Sequence, residues 1–168
     1  MKTIYLVRHA KSSWEKIDLP DEKRPIMEKG KKRTKKVIDY LHANHINVDY
    51  IISSHAVRAL ETAKILAQGL NYPLENIKID HEIYHGDGES IKDHISKLPD
   101  RFNSVMIVGH NPSLTNLVNL FLKSPIDNLP TSGVASFSFD TDRWENLQDS
   151  VPGKNFILLP RELDGKDE

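Results

Sequence analysis

Two runs in the chain carry a histidine at the end of an apolar segment, and both histidines are placed to do chemistry. Ile4-Tyr5-Leu6-Val7 leads into Arg8-His9, and Val105-Met106-Ile107-Val108 leads into Gly109-His110. An arginine presents a planar fork of donors that matches phosphate oxygens, while a neutral histidine offers one ring nitrogen as a nucleophile. A second arginine, Arg58, falls in the first turn of an expected helix behind a strand ending near Ser53. Taken singly these features are ordinary, since an Arg-His pair often marks a strand reaching the surface and a helix arginine is often structural. Together they predict a phosphate-sized pocket.

The elements that must position these residues follow from the hydrophobic pattern. Residues 4–11 read as a buried strand, followed by a turn-rich loop over 12–26. Helical spacing runs from Met27 to Asn44, with Val37, Ile38 and Leu41 as its apolar stripe. Its basic residues, from Lys29 to Lys36, read as a solvated face that is also able to attract an acidic partner. Asp49 to Ser53 reads as a second strand, and Ala56 to Gln68 as a helix burying Val57, Leu60, Ala63, Leu66, Ala67 and Leu70. Ile77 to Asp80 suggests a third strand entering a loop, and Ser90 to Leu98 a short helix. Ser104 to Gly109 is a clear buried strand, and Pro112 suits the start of a helix bearing Leu114, Leu117, Val118, Phe121 and Leu122. Later strands are expected over Val134 to Phe139 and Asn155 to Leu159. Alternating strands and helices predict an α/β fold, a three-layer αβα sandwich with a mostly parallel central sheet. Ligands then bind outside the carboxyl ends of the strands, which is where Arg8, His9, Arg58 and His110 fall.

A chain of 168 residues suits one domain, taken as residues 1–163, with a mobile tail over 164–168. A net charge of -1 gives no ground for a nucleic-acid partner, and no apolar run is long enough to span a membrane. The absence of cysteine removes disulfides, thiolate ligands and a cysteine nucleophile from consideration. With no secretory signal pattern after Met1, the expected location is the cytoplasm.

Four segments, in order, resemble the histidine phosphatase superfamily, with its phosphoglycerate mutase-like fold, and in particular its SixA-type phosphohistidine phosphatase branch. Leu6-Val7-Arg8-His9-Ala10 is similar to the family's Arg-His motif, with alanine where glycine is commoner. Arg24-Pro25-Ile26-Met27-Glu28-Lys29-Gly30 resembles its Arg-Pro-Leu element, Ser53 to Ala63 its second-arginine segment, and Val108 to Pro112 its second-histidine motif. The resemblance implies that His9 attacks phosphorus and becomes phosphohistidine, while Arg8, Arg58 and a protonated His110 hold the phosphoryl oxygens. Fixed cations and donors can stabilise that transition state without a metal, so no cofactor is expected. Lys11 to Glu15 resembles the family's Ser-x-Trp-Asn continuation, with Glu15 replacing the amide; Lys11 or Ser12 would then supply substrate contacts. Glu82 aligns with the acid that many members use to protonate the leaving group.

The implied activity is metal-independent phosphatase action, with protein phosphohistidine as substrate. Small phosphate esters, other phosphoproteins and a non-catalytic phosphate-binding module are the alternatives. His81-Glu82-Ile83-Tyr84-His85 also matches the zinc-protease pattern H-E-x-x-H. That pattern needs a helical face, whereas this run follows an apparent strand and enters Gly86-Asp87-Gly88, which argues against a zinc hydrolase.

Overall fold

The apolar run after Thr3 lies in the interior of a six-stranded sheet, flanked on each side by strands distant in sequence. The computed structural model describes residues 1–15 and 18–164. Among these residues the strands are β1 (Lys2–Arg8), β2 (Tyr50–Ser53), β3 (Lys78–Ile79), β4 (Ser104–Gly109), β5 (Val134–Phe139) and β6 (Lys154–Leu158). Their order is β3-β2-β4-β1-β5-β6, and only β5 runs against the others. The expected mostly parallel sheet is therefore present, with β5 pairing antiparallel to both β1 and β6.

Strand periodicity divides the core between the two faces of this sheet. Ile4, Leu6, Ile52, Val105, Ile107 and Phe137 pack on one face against α3 (Glu82–His85), α4 (Gly88–Ser96) and α5 (Ser113–Phe121). Tyr5, Val7, Ile51, Met106 and Val108 pack on the other against α1 (Glu28–Ala43) and α2 (Val57–Gly69), with Leu163 of α6 (Pro160–Asp164) at the edge. This is the three-layer αβα sandwich. Each fully buried aliphatic side chain contributes about 1.5–3 kcal/mol, so both faces hold the β1 and β4 ends in place.

Several boundaries and faces differ from the sequence expectation. β1 stops at Arg8, so His9 to Lys11 turn out of the sheet into the site. In α2, Val57, Leu60 and Leu70 are only half-buried, while Arg58, Ala59 and Thr62 turn inward. The helix is phased to deliver two polar side chains to the strand ends, which a hydrophobic count cannot anticipate. The expected loop after β3 contains the short helix α3, whose Ile83 is buried. Residues 160–164 form α6, so Asp164 belongs to a helix and not to a tail; residues 165–168 lie outside the described residues. No helix among the described residues is long and apolar enough to cross a membrane.

One glycine fixes how the first loop meets α1. A Cβ at Gly30 would stand 2.8 Å from the Lys11 carbonyl oxygen and 2.9 Å from its backbone nitrogen. Close approach is required there, because Met27 N–H donates to the Lys11 carbonyl at 2.8 Å and ties the segment after His9 to the helix.

Candidate active site

The parallel register of β1 and β4 sets Arg8 beside Gly109, so the next residue of each strand, His9 and His110, emerges at the same edge. Their ring centroids are 5.3 Å apart. His9 is buried, and its Nδ1 lies 2.7 Å from the carbonyl oxygen of Ala10. A carbonyl only accepts, so Nδ1 carries the proton and Nε2 keeps its lone pair. The acceptor is a backbone atom, which alanine at position 10 supplies as well as glycine does. Burial pushes His9 down to about 4; the Ala10 bond opposes this, and the charges of Arg58, Arg8 and Arg24 reinforce it. The ring is thus neutral near pH 7, with one nitrogen available for attack.

The peptide of Ala10 is held from behind. Its N–H donates to Thr62 Oγ1 at 2.9 Å, and the same hydroxyl donates to the Arg58 carbonyl at 2.7 Å. Thr62 is fully buried and links the loop carrying His9 to the turn carrying Arg58. On the opposite side, Ser132 N–H approaches the carbonyls of Arg8 and His9 at 3.0 and 3.2 Å.

Three arginines surround this centre. Arg8 Nη1 donates to the Leu129 carbonyl at 3.0 Å, and its Nε is buried without a partner. Burial first, and then repulsion from the Arg58 charge, lower the Arg8 pKa. Arg58 donates through Nη1 to the Asp21 carbonyl at 2.7 Å and through Nη2 to Asp21 Oδ2 at 2.9 Å. Arg24 pairs with Asp21 Oδ1 at 3.3 Å and stacks on Trp14, its guanidinium carbon 3.4 Å from the ring centroid. Asp21 also accepts from Tyr84 OH at 2.8 Å. Burial alone would raise the Asp21 pKa, but the bonds from Tyr84 and Arg58 outweigh it and hold the carboxyl below its ordinary value.

His110 differs from the protonated donor expected of it. Its Nε2 is 2.7 Å from Ser54 Oγ, its Nδ1 is buried without a partner, and the edge of Tyr84 packs on the ring at 5.3 Å. Burial, then the charges of Arg58 and His9, push it down to about 3, so it is neutral in the free protein. With the Ser54 hydroxyl donating to Nε2, the orphaned Nδ1–H remains as a donor for a ligand oxygen. A phosphoryl dianion would raise the His110 pKa on binding.

These groups line a cleft of about 290 Å³ formed by Arg8, His9, Lys11, Ser12, Trp14, Arg24, Arg58, His110, Asn111 and Thr131. Arg8, His9, Lys11, Ser12, Arg58 and His110 thus come together, as expected from sequence. Glu82 does not: it is exposed, lies outside this wall, and has its Oε1 beside Gly86. Glu15 is also exposed and outside the wall. Sequence reasoning assigned no role to Asp21, Trp14, Tyr84, Ser54 or Thr62, and it gave Arg24 only a place in a motif. The Arg24-Pro25 pair was the available signal; the others sit in loops or on a helix face where only tertiary contacts reveal them.

Residues 4–105 match the histidine phosphatase superfamily (branch 1), which is more than half of the chain. The chain belongs to this superfamily, and that membership supports phosphatase activity. An uncharacterised chloroplastic protein of Arabidopsis thaliana is 29% identical over 86% of this chain and 69% of its own length. An uncharacterised protein of Mycobacterium leprae is 24% identical over 84% of this chain and 92% of its own. Among solved structures, the protein histidine phosphatase SixA complexed with tungstate superposes with a TM-score of 0.81 at 21% identity, covering 96% of this chain and 99% of that one. The putative phosphohistidine phosphatase SixA from Agrobacterium tumefaciens gives 0.71 at 26% identity, covering 81% and 91%. The fold is therefore phosphoglycerate mutase-like and SixA-like.

Proposed function

We propose that the chain removes phosphoryl groups through a phosphohistidine intermediate on His9, acts on protein phosphohistidine, and uses no metal ion in the transfer steps. The observation that carries this reading is the fixed tautomer of His9: Nδ1–H is committed to the Ala10 carbonyl, which leaves a neutral Nε2 among Arg8, Arg24 and Arg58. In the first step Nε2 forms a bond to phosphorus while the bond from phosphorus to the leaving atom breaks. The arginines and His110 Nδ1–H neutralise charge on the equatorial oxygens. When the substrate phosphoimidazole is protonated on its other ring nitrogen, breaking its P–N bond releases neutral imidazole, so no acid is needed for that leaving group. Water then attacks phosphorus, the bond to Nε2 breaks, and orthophosphate leaves with His9 neutral again.

The substrate class is supported by the likeness to the SixA phosphohistidine phosphatases and by the form of the cleft. Trp14 stands at its rim with 68% of its surface exposed, and Glu82 lies outside the wall. An open mouth without a positioned acid suits a phosphoryl group carried on a protein imidazole better than an alkyl ester, whose departing oxygen needs a proton.

Rapid quenching with labelled phosphohistidine protein tests the proposal. The expected result is an alkali-stable, acid-labile phosphoenzyme whose label maps to the peptide containing His9, and a His9→Ala variant that binds substrate but turns it over several orders of magnitude more slowly. Tungstate or vanadate should inhibit by occupying the cleft. Label on His110 would reverse the two roles; binding without turnover or label would make the chain a recognition module. Faster turnover of small esters than of phosphohistidine protein would overturn the substrate class.

A further inference from the structure

Beside the cleft, but outside its wall, three histidines converge from two elements. His81 and His85 sit four positions apart on the turn of α3, closed by His85 N–H donating to the His81 carbonyl at 3.1 Å, so both rings leave the same face. His55 approaches from the segment between β2 and α2. Its ring centroid is 4.1 Å from that of His81 and 5.7 Å from that of His85. One nitrogen from each of the three lies within 4.8 Å of the others.

We propose that His55, His81 and His85 form a binding site for a divalent d-block cation of the zinc class. His55 supplies the second, independent observation. Its Nε2 is 2.9 Å from Glu22 Oε2, and its Nδ1 is buried with no hydrogen-bond partner. With Nε2–H donating to the carboxylate, Nδ1 holds a buried lone pair that nothing in the protein uses. Carboxylate to histidine to metal is the usual arrangement by which a second shell orients a ligand ring and fixes its tautomer. Imidazole nitrogens suit zinc, copper and nickel ions, whereas magnesium and calcium favour oxygen.

Bonds of about 2.0–2.1 Å place tetrahedral ligand atoms about 3.3 Å apart, so the nitrogens must close from their present spread. His81 and His85 are exposed and free to rotate toward the half-buried His55. Water takes the fourth, open position. The sequence objection to H-E-x-x-H was its setting between a strand and glycines; α3 supplies the missing helical turn, but the third ligand comes from His55 and Glu82 points elsewhere. The site is therefore not that of a zinc protease.

Its location gives the ion a consequence for the cleft. Tyr84, between the two α3 ligands, donates to Asp21 and packs on His110, and Asp21 holds Arg58. An ion joining α3 to the segment before Arg58 braces that wall, while no phosphoryl-transfer step passes through it.

The test uses the full chain stripped with a chelator and then titrated with zinc alone by calorimetry, with cobalt as a spectroscopic substitute. One ion per chain is expected, with the strong visible absorption of four-coordinate cobalt. His81→Ala and His85→Ala should each weaken zinc at least a hundredfold, and Glu22→Gln about tenfold. Because these three side chains are exposed or half-exposed, apo variants should melt with the apo wild type, which separates lost binding from lost folding. His9→Ala should bind zinc as tightly as wild type, so failure of the catalytic proposal and failure of this one are distinguishable. No saturable zinc binding in the wild type, or unchanged affinity in the His81→Ala/His85→Ala double variant, overturns the site.

Discussion

Protonation of His9 is the point at which the structural account can be tested most directly. Its ordinary value of 6.5 falls to about 4 in the folded protein. At pH 7 that lowers the protonated fraction from roughly a quarter to about one in a thousand, so almost every molecule carries a nucleophilic ring. At about 1.36 kcal/mol per pKa unit, the displacement corresponds to roughly 3 kcal/mol of preference for the neutral form. The sign for stability follows from the depressed folded value. The unfolded chain takes up the proton as pH falls through 6.5 and the folded chain only near 4, so this contribution is present above pH 6.5 and lost between 6.5 and 4. Substrate phosphate titrates near pH 6, which would obscure a rate profile. Histidine ring resonances of the free protein, followed by NMR and assigned by their loss in His9→Ala and His110→Ala, avoid that overlap. Neither should shift between pH 8 and 5.5; below that they should titrate as an interacting pair. A His9 midpoint near 6.5 would refute the burial argument, because the ring would then be as solvated as an exposed histidine. Denaturant midpoints should fall steeply over the same acidic range and less steeply in His9→Ala.

Three further outcomes follow from named contacts. Thr62→Val leaves the Ala10 N–H without its buried partner, at about 1–3 kcal/mol, while the Arg58 carbonyl keeps its helical bond; kcat should fall about tenfold with KM little changed, and Thr62→Ser should restore it. Gly30→Ala drives a methyl group into the Lys11 backbone and should lower stability by about 1–3 kcal/mol, read as a lower denaturant midpoint with unchanged slope. Glu82→Gln should change phosphohistidine hydrolysis less than about twofold in steady-state assays, whereas a large loss would place its carboxyl near the leaving group after all.

The strand ends were legible because Arg8-His9 and Gly109-His110 interrupt continuous apolar runs, and a buried parallel strand cannot carry such residues except at its end. The phase of α2 was legible only in part: Arg58 at the cleft and Ala63, Leu66 and Ala67 in the core were expected and are found there. Val57, Leu60 and Leu70 fit an apolar stripe, yet the helix turns Arg58 and Thr62 inward because hydrogen bonds to Asp21 and Ala10 stabilise that rotation. The helix α3 escaped notice because four residues are too few to establish a period; it is held by burial of Ile83 and by Asp80 Oδ1, which accepts from Glu82 N–H at 2.9 Å. Asp21, Arg24 and Trp14 lie in a segment without helical or strand periodicity, where motifs name Arg24 and Trp14 but position depends on partners distant in sequence. The charge on His110 was illegible for a different reason: the motif names a donor, but burial first and then the charge of Arg58 keep the ring neutral in the folded protein, against the opposing pull of the Asp21 carboxylate.

The order of strands has a consequence for the chain as it is being made. β1 pairs with no neighbour in sequence; its partners are β4 and β5, the latter ending at Phe139. A growing polypeptide therefore carries Ile4 to Val7 without both flanking strands in place until about 130 more residues have been joined, roughly 6–26 s at about 5–20 residues per second. During that interval the apolar segment is exposed to wrong partners, the hazard that holding factors relieve. Arrested chains cut short before Val134 should bind such factors and lack phosphatase activity, while release of longer chains should yield both folding and turnover in a single event.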